Sequence, residues 1–233
     1  MVTLQPENLI ILIIIFMTRV KICGITSVAE AQLAERHGAH AIGILVGQRH
    51  ASSDFVEPDI ARTICLNLSP FTTSVLITHL EDPPEIVDLV QKVPCLAVQL
   101  HSDLSSSVLL FLRDQLWPKK IIGKVSVQDE TAITRMREIE NFVDAMVLDS
   151  IDPSTNRVGG TGLTHDWTIS AQIVNNSRVP IILAGGLTPD NVKQAITLVR
   201  PWAVDVHSGV ETPDGQKNQG QIALFLKEVF SAS

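Results

Sequence analysis

The sequence lacks any cluster of basic residues. Its 18 Lys and Arg residues are outnumbered by 25 Asp and Glu residues, so the formal net charge is −7 at pH 7. A protein that tracks a phosphate backbone or an anionic bilayer needs a basic run or patch for that contact. We therefore expect neither nucleic acid nor a membrane surface among its partners.

Cysteine is also scarce. The chain has only Cys23, Cys65 and Cys95, an odd number without a CxxC spacing. This pattern suits a reducing compartment better than a disulfide framework. We predict a cytoplasmic protein.

No apolar run near the start is long enough to cross a bilayer. The run LIILIIIFM at residues 9–17 falls well short of the roughly 20 residues that a spanning helix needs. A signal peptide is disfavoured too, because Glu7 precedes the run and TRVK follows it. We interpret residues 1–17 as an N-terminal extension, with Met17 as the natural start, and residues 18–233 as a single catalytic domain.

What the sequence does contain is a regular alternation of apolar runs and helical patterns. The runs are nearly continuous in hydrophobicity, as strands buried on both faces require. The segments between them open with Ser, Asp, Thr or Pro and carry apolar residues three and four apart, as amphipathic helices do. The apolar runs are residues 20–23, 40–46, 72–78, 95–101, 119–125, 144–150, 179–186 and 203–209. Eight such units in one chain predict an α/β protein, a single (β/α)₈ barrel.

Two residues at predicted strand ends can exchange protons. Active sites of such barrels gather at these ends. Cys23 ends the first strand beside Gly24, which allows close approach of a substrate, and Lys21 faces the same side. A thiol needs such a positive charge to act as a base near neutrality. Asp149 ends the sixth strand, where a desolvated carboxyl group could donate a proton.

Both residues also have an ordinary structural interpretation. Cys23 could be a small buried hydrophobe, and Asp149 could cap a helix or join an ion pair.

Two glycine-bearing loops suit a phosphate group. LAGGLTPDN follows the seventh strand with Gly185 and Gly186, and VHSGVE follows the eighth with Ser208 and Gly209. Backbone N–H groups in these two loops form the usual phosphate site of the fold. Glycines could merely permit tight turns, but two such loops at the two expected places favour a small phosphorylated ligand.

Six ordered segments resemble the phosphoribosylanthranilate isomerase family from about residue 18 to 230. They are KICGIT, AVQLH, VLDS, GGTGLTHDW, LAGGLTPDNV and RPWAVDVHSGVE. The resemblance implies an Amadori rearrangement of N-(5-phosphoribosyl)anthranilate in tryptophan biosynthesis, without metal or organic cofactor. It implies Asp149 as the general acid at the ring oxygen and Cys23 as the general base at C2. Expected substrate-binding residues are Lys21, Arg49, Gln99, His101, Gly185, Gly186, Asp205, Ser208 and Gly209. We expect a monomer or a homodimer.

Four positions depart from the family pattern. The family carries an arginine for the anthranilate carboxylate after the second strand, where this chain has Asp54, an anion that would repel that group. Arg49 in the same loop is the candidate substitute. The other departures are His79 for an asparagine, Leu163 for a lysine and His207 for a serine.

These departures leave two alternatives open. A divergent paralogue could act on another phosphorylated sugar or amine, with His79, His101 and His207 joining an aspartate around a divalent metal. The eighth strand is remote from the third and fourth, so we predict no metal site. A non-catalytic barrel could bind a phosphorylated ligand, although it would not need both Cys23 and Asp149.

Overall fold

The computed structural model describes residues 17–47, 53–150 and 165–232. In this part of the chain, eight strands alternate with eight α-helices. All neighbouring strands are parallel, and they close in chain order into one barrel. The predicted (β/α)₈ barrel is confirmed.

The elements lie close to the predicted positions. The strands are β1 (Arg19–Ile22), β2 (Ala41–Leu45), β3 (Thr73–Thr78), β4 (Ala97–Leu100), β5 (Lys120–Ser126), β6 (Ala145–Asp149), β7 (Ile181–Leu183) and β8 (Ala203–Val206). The helices are α1 (Val28–Arg36), α2 (Pro58–Leu66), α3 (Pro83–Lys92), α4 (Ser106–Gln115), α5 (Thr131–Ile139), α6 (Trp167–Asn176), α7 (Val192–Val199) and α8 (Gln219–Ala232).

Two strands, β7 and β8, end three residues before their predicted carboxyl ends. β7 stops at Leu183 because Gly185 and Gly186 adopt φ angles of 80° and 62°, which are incompatible with an extended strand. β8 gives way to a 3₁₀ turn over Ser208–Val210. The predicted phosphate-binding residues therefore belong to loops, where their N–H groups are not used in the strand ladder.

Helix starts follow the capping signals of the sequence. The side chains of Ser27, Asp82, Ser105 and Asp166 each accept a hydrogen bond from a backbone N–H in the first helical turn. These caps fix where each loop ends. At the active-site end of the barrel, these four caps therefore fix the first residue of their helices.

The interior has an apolar layer inside the barrel and a larger one between strands and helices. The lumen is packed with apolar side chains from alternate strand positions. Gly43 on β2 leaves space beside Cys23, because a Cβ built there would lie 3.2 Å from the Cys23 Sγ atom. The thiol consequently fits against β2 at the top of the apolar layer.

Within the described ranges, no helix combines the length and apolar character that crossing a membrane requires. Residues 1–16, Arg49 and Leu163 lie outside those ranges. The predictions about the N-terminal extension, the substitute carboxylate-binding arginine and the replaced lysine therefore stay predictions.

Candidate active site

Six of the predicted site residues lie inside the barrel towards its carboxyl end. None of the six exposes more than 8% of its surface. Residues two apart on a strand point to the same face, which brings both the first-strand and the fourth-strand pairs into the lumen. The six are Lys21, Cys23, Gln99, His101, Asp149 and Asp205.

Lys21 connects opposite walls of the barrel. Its Nζ atom lies 2.7 Å from Asp205 Oδ2 on β8 and donates to Gln99 Oε1 on β4 at 2.8 Å. Gln99 Nε2 in turn lies 3.2 Å from His101 Nδ1. Burial opposes the charge of Lys21, but the neighbouring acidic groups, led by the Asp205 carboxylate, together outweigh it, so the pKa of the lysine lies above its usual value. The lysine stays a cation at neutral pH.

Asp149 has the properties of a proton donor. Burial, and then the negative charge of Asp205, raise its pKa to about 6. Its Oδ1 atom accepts a 2.8 Å hydrogen bond from the Ser150 N–H, and its Oδ2 atom lies 3.5 Å from His101 Nε2. It does not cap the following helix, since Asp166 does so. The carboxyl group can therefore hold or release a proton near neutrality.

Cys23 is a thiol, not a thiolate, in this arrangement. Burial raises its pKa to about 12, and the positive charge of Lys21 offsets only part of that rise. The reason is that Asp205 neutralises much of the lysine charge at 2.7 Å. Lys21 lowers the pKa of Cys23, as expected, but this effect is too small to produce a thiolate at neutral pH.

The loops after β6, β7 and β8 pack so closely that only glycine fits at two positions. A Cβ at Gly209 would lie 1.9 Å from the Leu187 carbonyl oxygen, and one at Gly185 would lie 2.5 Å from Ser150 Oγ. Such contacts are far below van der Waals distance. The backbones of three loops therefore lie side by side.

This packing leaves hydrogen-bond donors at the loop surface. Asn191 holds the β7 loop in shape, because its Oδ1 accepts from Thr188 N–H at 2.8 Å and its Nδ2 donates to Gly186 O at 2.9 Å. The backbone N–H groups of the four predicted phosphate-binding residues donate no hydrogen bond to any group in the part of the chain that the structure describes. They are placed to receive an anion.

Two departures from the family pattern contact each other. His207 Nε2 lies 3.5 Å from Asp54 Oδ2 and 3.3 Å from Glu211 Oε1. Lys217 also pairs with Glu211. Burial disfavours the Glu211 charge, but hydrogen bonds from His207 and Lys217 prevail, so its pKa lies below the usual value. Gly24 makes room for this imidazole, because a Cβ there would lie 2.0 Å from His207 Nε2.

An aromatic wall lines the mouth from the β2 loop to β4. The ring of His79 lies 5.4 Å from that of Phe55 and 4.8 Å from that of His101, measured between centroids. Burial and the neighbouring His79 hold the pKa of His101 well below its usual value, so this ring is neutral. The sequence reasoning missed Phe55, because it treated the β2 loop only as a source of charge.

A shared metal ligand set is not formed by these histidines. Among residues 17–47, 53–150 and 165–232, no three His, Cys, Asp or Glu side chains are grouped as metal ligands would be. His207 faces the carboxylates of Asp54 and Glu211, whereas the rings of His79 and His101 contact each other at a tilt of 40°.

Comparison with known proteins assigns this chain to a family. The family model described as "N-(5'phosphoribosyl)anthranilate (PRA) isomerase" matches residues 20–228. The chain belongs to this family. As a member it is an isomerase with the TIM-barrel fold.

Individual relatives agree with the match. The chain is 41% identical to N-(5'-phosphoribosyl)anthranilate isomerase 2 of Methanosarcina mazei, over 89% of this chain and 92% of that one. The crystal structure of phosphoribosyl anthranilate isomerase from Thermotoga maritima has a TM-score of 0.81 at 34% identity, covering 92% of this chain and all of that one. A second structure of a phosphoribosyl anthranilate isomerase contains reduced 1-(o-carboxyphenylamino)-1-deoxyribulose 5-phosphate. It has a TM-score of 0.78 at 32% identity, covering 92% of this chain and 100% of that one.

Proposed function

We propose that this chain converts N-(5'-phosphoribosyl)anthranilate to 1-(o-carboxyphenylamino)-1-deoxyribulose 5-phosphate in tryptophan biosynthesis, without a cofactor. The observation that carries the proposal is a buried carboxyl group of raised pKa, Asp149, in one lumen with the Cys23 thiol and two glycine loops. Family membership supports the same reaction. A monomeric or homodimeric state and a cytoplasmic location stay predictions.

The substrate spans the mouth in this proposal. Its phosphate binds the N–H groups of the loops after β7 and β8, which is the usual phosphate position in this fold. The ribose then lies over Cys23 and Asp149. The aromatic ring of the substrate packs against the wall formed by Phe55, His79 and His101.

Asp149 acts first, as a general acid. It donates its proton to the ring oxygen of the ribose while the bond between that oxygen and C1 breaks. The nitrogen lone pair forms a C1 iminium cation, and Asp149 is left as a carboxylate. A pKa of about 6 suits this step, because a general acid works best when its pKa lies near the operating pH.

Cys23 then removes the proton from C2 as a thiolate. The electron pair of the broken C–H bond neutralises the iminium and gives an enol amine. C1 gains a proton and the C2 hydroxyl loses one, which yields the ketone product. Because the resting thiol has a pKa of about 12 and the resting Asp149 is a carboxylate above pH 6, the thiol proton passes to Asp149 before the ring opens, so that one shared proton provides both the acid and the thiolate.

Turnover by variants tests the proposal. Cys23→Ala and Asp149→Ala should each lower kcat by about 100- to 10,000-fold, the usual contribution of a general acid or base. Cys65→Ala is the matched control, since its thiol lies outside the lumen cluster. The wild-type chain, but neither active-site variant, should restore growth of a tryptophan auxotroph that lacks this isomerase.

Two results would contradict the proposal. Tight binding of the reduced product without turnover by the wild-type chain would indicate a non-catalytic barrel. Metal-dependent turnover of another sugar phosphate, with no activity on phosphoribosylanthranilate, would indicate a divergent paralogue.

A further inference from the structure

A second lysine lies in the lumen and has no part in the chemistry proposed above. Lys124 on β5 exposes 3% of its surface. It is two residues beyond Ile122, which belongs to the lumen cluster, so the alternation of β5 places Lys124 on the inner face. A buried ammonium group is costly unless anions or acceptors surround it.

The ion pair that Lys124 does form is weakly held. Its Nζ atom lies 3.4 Å from Asp103 Oδ1, and it donates no hydrogen bond to the residues that the structure describes. Lys21, by contrast, has partners at 2.7 and 2.8 Å. The Asp103 side chain is 68% exposed, so its carboxylate can return to water at little cost.

A second donor lies beside this ammonium group. Ser126 follows two residues later on the same face of β5, and its Oγ atom is buried without a hydrogen-bond partner among the residues that the structure describes. The strand ladder pairs Ser126 with Asp149. The charge of Lys124 also reaches this site, because it offsets part of the rise in the pKa of Asp149 and helps to lower the pKa of His101. An ammonium and a hydroxyl group on one strand are two donors that suit a carboxylate.

The other cations of the mouth are already engaged. Lys21 is bonded to Asp205 and Gln99, and Lys217 is paired with Glu211. Among the described lysines and arginines of the lumen, Lys124 is the one whose partner an incoming anion can replace most easily.

We propose that Lys124, together with Ser126, binds the carboxylate of the aromatic half of the substrate and so takes the role of the family arginine, whose position after β2 is occupied here by Asp54. This inference rests on the proposed function. On binding, the substrate carboxylate takes the place of Asp103. The phosphate loops and Lys124 then hold the two anionic ends of one molecule, with Asp149 between them.

Calorimetric binding of two ligands tests the assignment. One is reduced 1-(o-carboxyphenylamino)-1-deoxyribulose 5-phosphate, and the other is the same molecule without the carboxyl group. Lys124→Met should weaken binding of the first ligand about 10- to 100-fold, as expected for loss of a charged hydrogen bond, and should leave the second nearly unchanged. Lys120→Met is the matched control, because Lys120 is 65% exposed on the same strand; it should affect neither ligand.

Three outcomes separate the alternatives. Equal weakening of both ligands by Lys124→Met would overturn the assignment, because it would indicate a structural role or an effect on Asp149. Ligand-selective weakening by Arg49→Met but not by Lys124→Met would overturn it in favour of the β2 loop. A wild-type chain that neither turns over phosphoribosylanthranilate nor binds either ligand would refute the proposed function itself. If Lys124→Met does not fold, Lys124→Gln is measured in the same way.

Discussion

The two halves of the barrel mouth differ in the atoms that line them, which are backbone atoms in one half and side-chain atoms in the other. On the side of β6 to β8, backbone packs on backbone, so that a Cβ at Gly209 or Gly185 would lie within 2.5 Å of another loop. On the side of β2 to β5, the surface consists of side chains, including the neighbouring rings of Phe55, His79 and His101. A side chain added at either glycine of the first half forces the main chain to move. In the second half, a substitution can be accommodated by a second substitution at a neighbouring side chain.

Asp54 in the β2 loop and His207 directly after β8 form a pair that joins the two halves. Both depart from the family pattern, and the structure places them 3.5 Å apart. Asp54 is therefore not the isolated anion that the sequence suggested, since an imidazole lies beside its carboxylate. Substitutions in the phosphate half are therefore limited by how closely the loop backbones pack. Asp54 in the aromatic half depends instead on a polar partner beside its carboxylate.

The largest effect is expected at Asp149, where the two halves meet. Asp149→Asn should lower kcat by about 100- to 10,000-fold and yet stabilise the fold. The aspartate pKa rises from 3.8 to about 6 on folding, so the native state binds more protons between these values and its stability falls as pH rises through that window. Above pH 6, the uncharged amide of the variant removes that cost of about 1–3 kcal/mol, measurable by urea unfolding at pH 7.5. An unchanged pH dependence of stability would contradict the raised pKa.

A smaller loss is expected in the phosphate half. Gly209→Ala places a methyl group 1.9 Å from the Leu187 carbonyl oxygen, so the loops after β7 and β8 must separate. We expect the Kd of inorganic phosphate to rise at least about 10-fold and the free energy of unfolding to fall by about 1–3 kcal/mol. Gly215→Ala is the control for phosphate binding. Its φ of 82° makes an alanine there strained, so this variant also loses stability, but a Cβ would have no atom closer than 4.0 Å and the loops after β7 and β8 stay in place. Equal phosphate binding by both variants would contradict the backbone-packed site.

The pH profile of kcat/KM should break near the pKa of Asp149. The active form shares one proton between Asp149 and Cys23, whose pKa values are about 6 and about 12. The rate should therefore fall by about tenfold per pH unit below pH 6 and stay level above it. Asp205→Asn removes the charge that helps to raise the pKa of Asp149, so the break should move to lower pH. A break that stays in place would assign it to the substrate phosphate.

The smallest effect is expected at the pair that joins the two halves. His207→Ser leaves Asp54 without its imidazole neighbour, and KM should rise by about three- to tenfold, as for a partly exposed polar contact. Asp54→Ser in the same chain should restore most of the lost affinity, since the unpaired anion is then gone. Steady-state kinetics of both single variants and the double variant measures this coupling. Additive effects would show that the two residues act independently.

The sequence was most informative where strand periodicity alone decides the geometry. Alternation along β1 predicted that Lys21 and Cys23 share a face, and both are buried. Gln99 and Asp205, which are buried too, were expected only from the family resemblance. The same alternation in β5 also applied to Lys124, which went unnoticed because no motif marks it.

Contacts between distant loops could not be predicted in this way. The pairing of Asp54 with His207 depends on how the β2 loop folds over β8, and periodicity does not describe loops. The pKa of Cys23 also required the structure, since it depends on how completely Asp205 neutralises Lys21.

Lys21, which joins β4 to β8, limits how substrate and product can enter and leave the site. With its ammonium bonded to both walls and apolar side chains packed in the lumen, the described part of the barrel is closed beneath the site. Substrate and product therefore both reach the site from the carboxyl end of the strands. Inhibition by product should consequently be competitive with substrate, since both molecules bind the same site of the free enzyme.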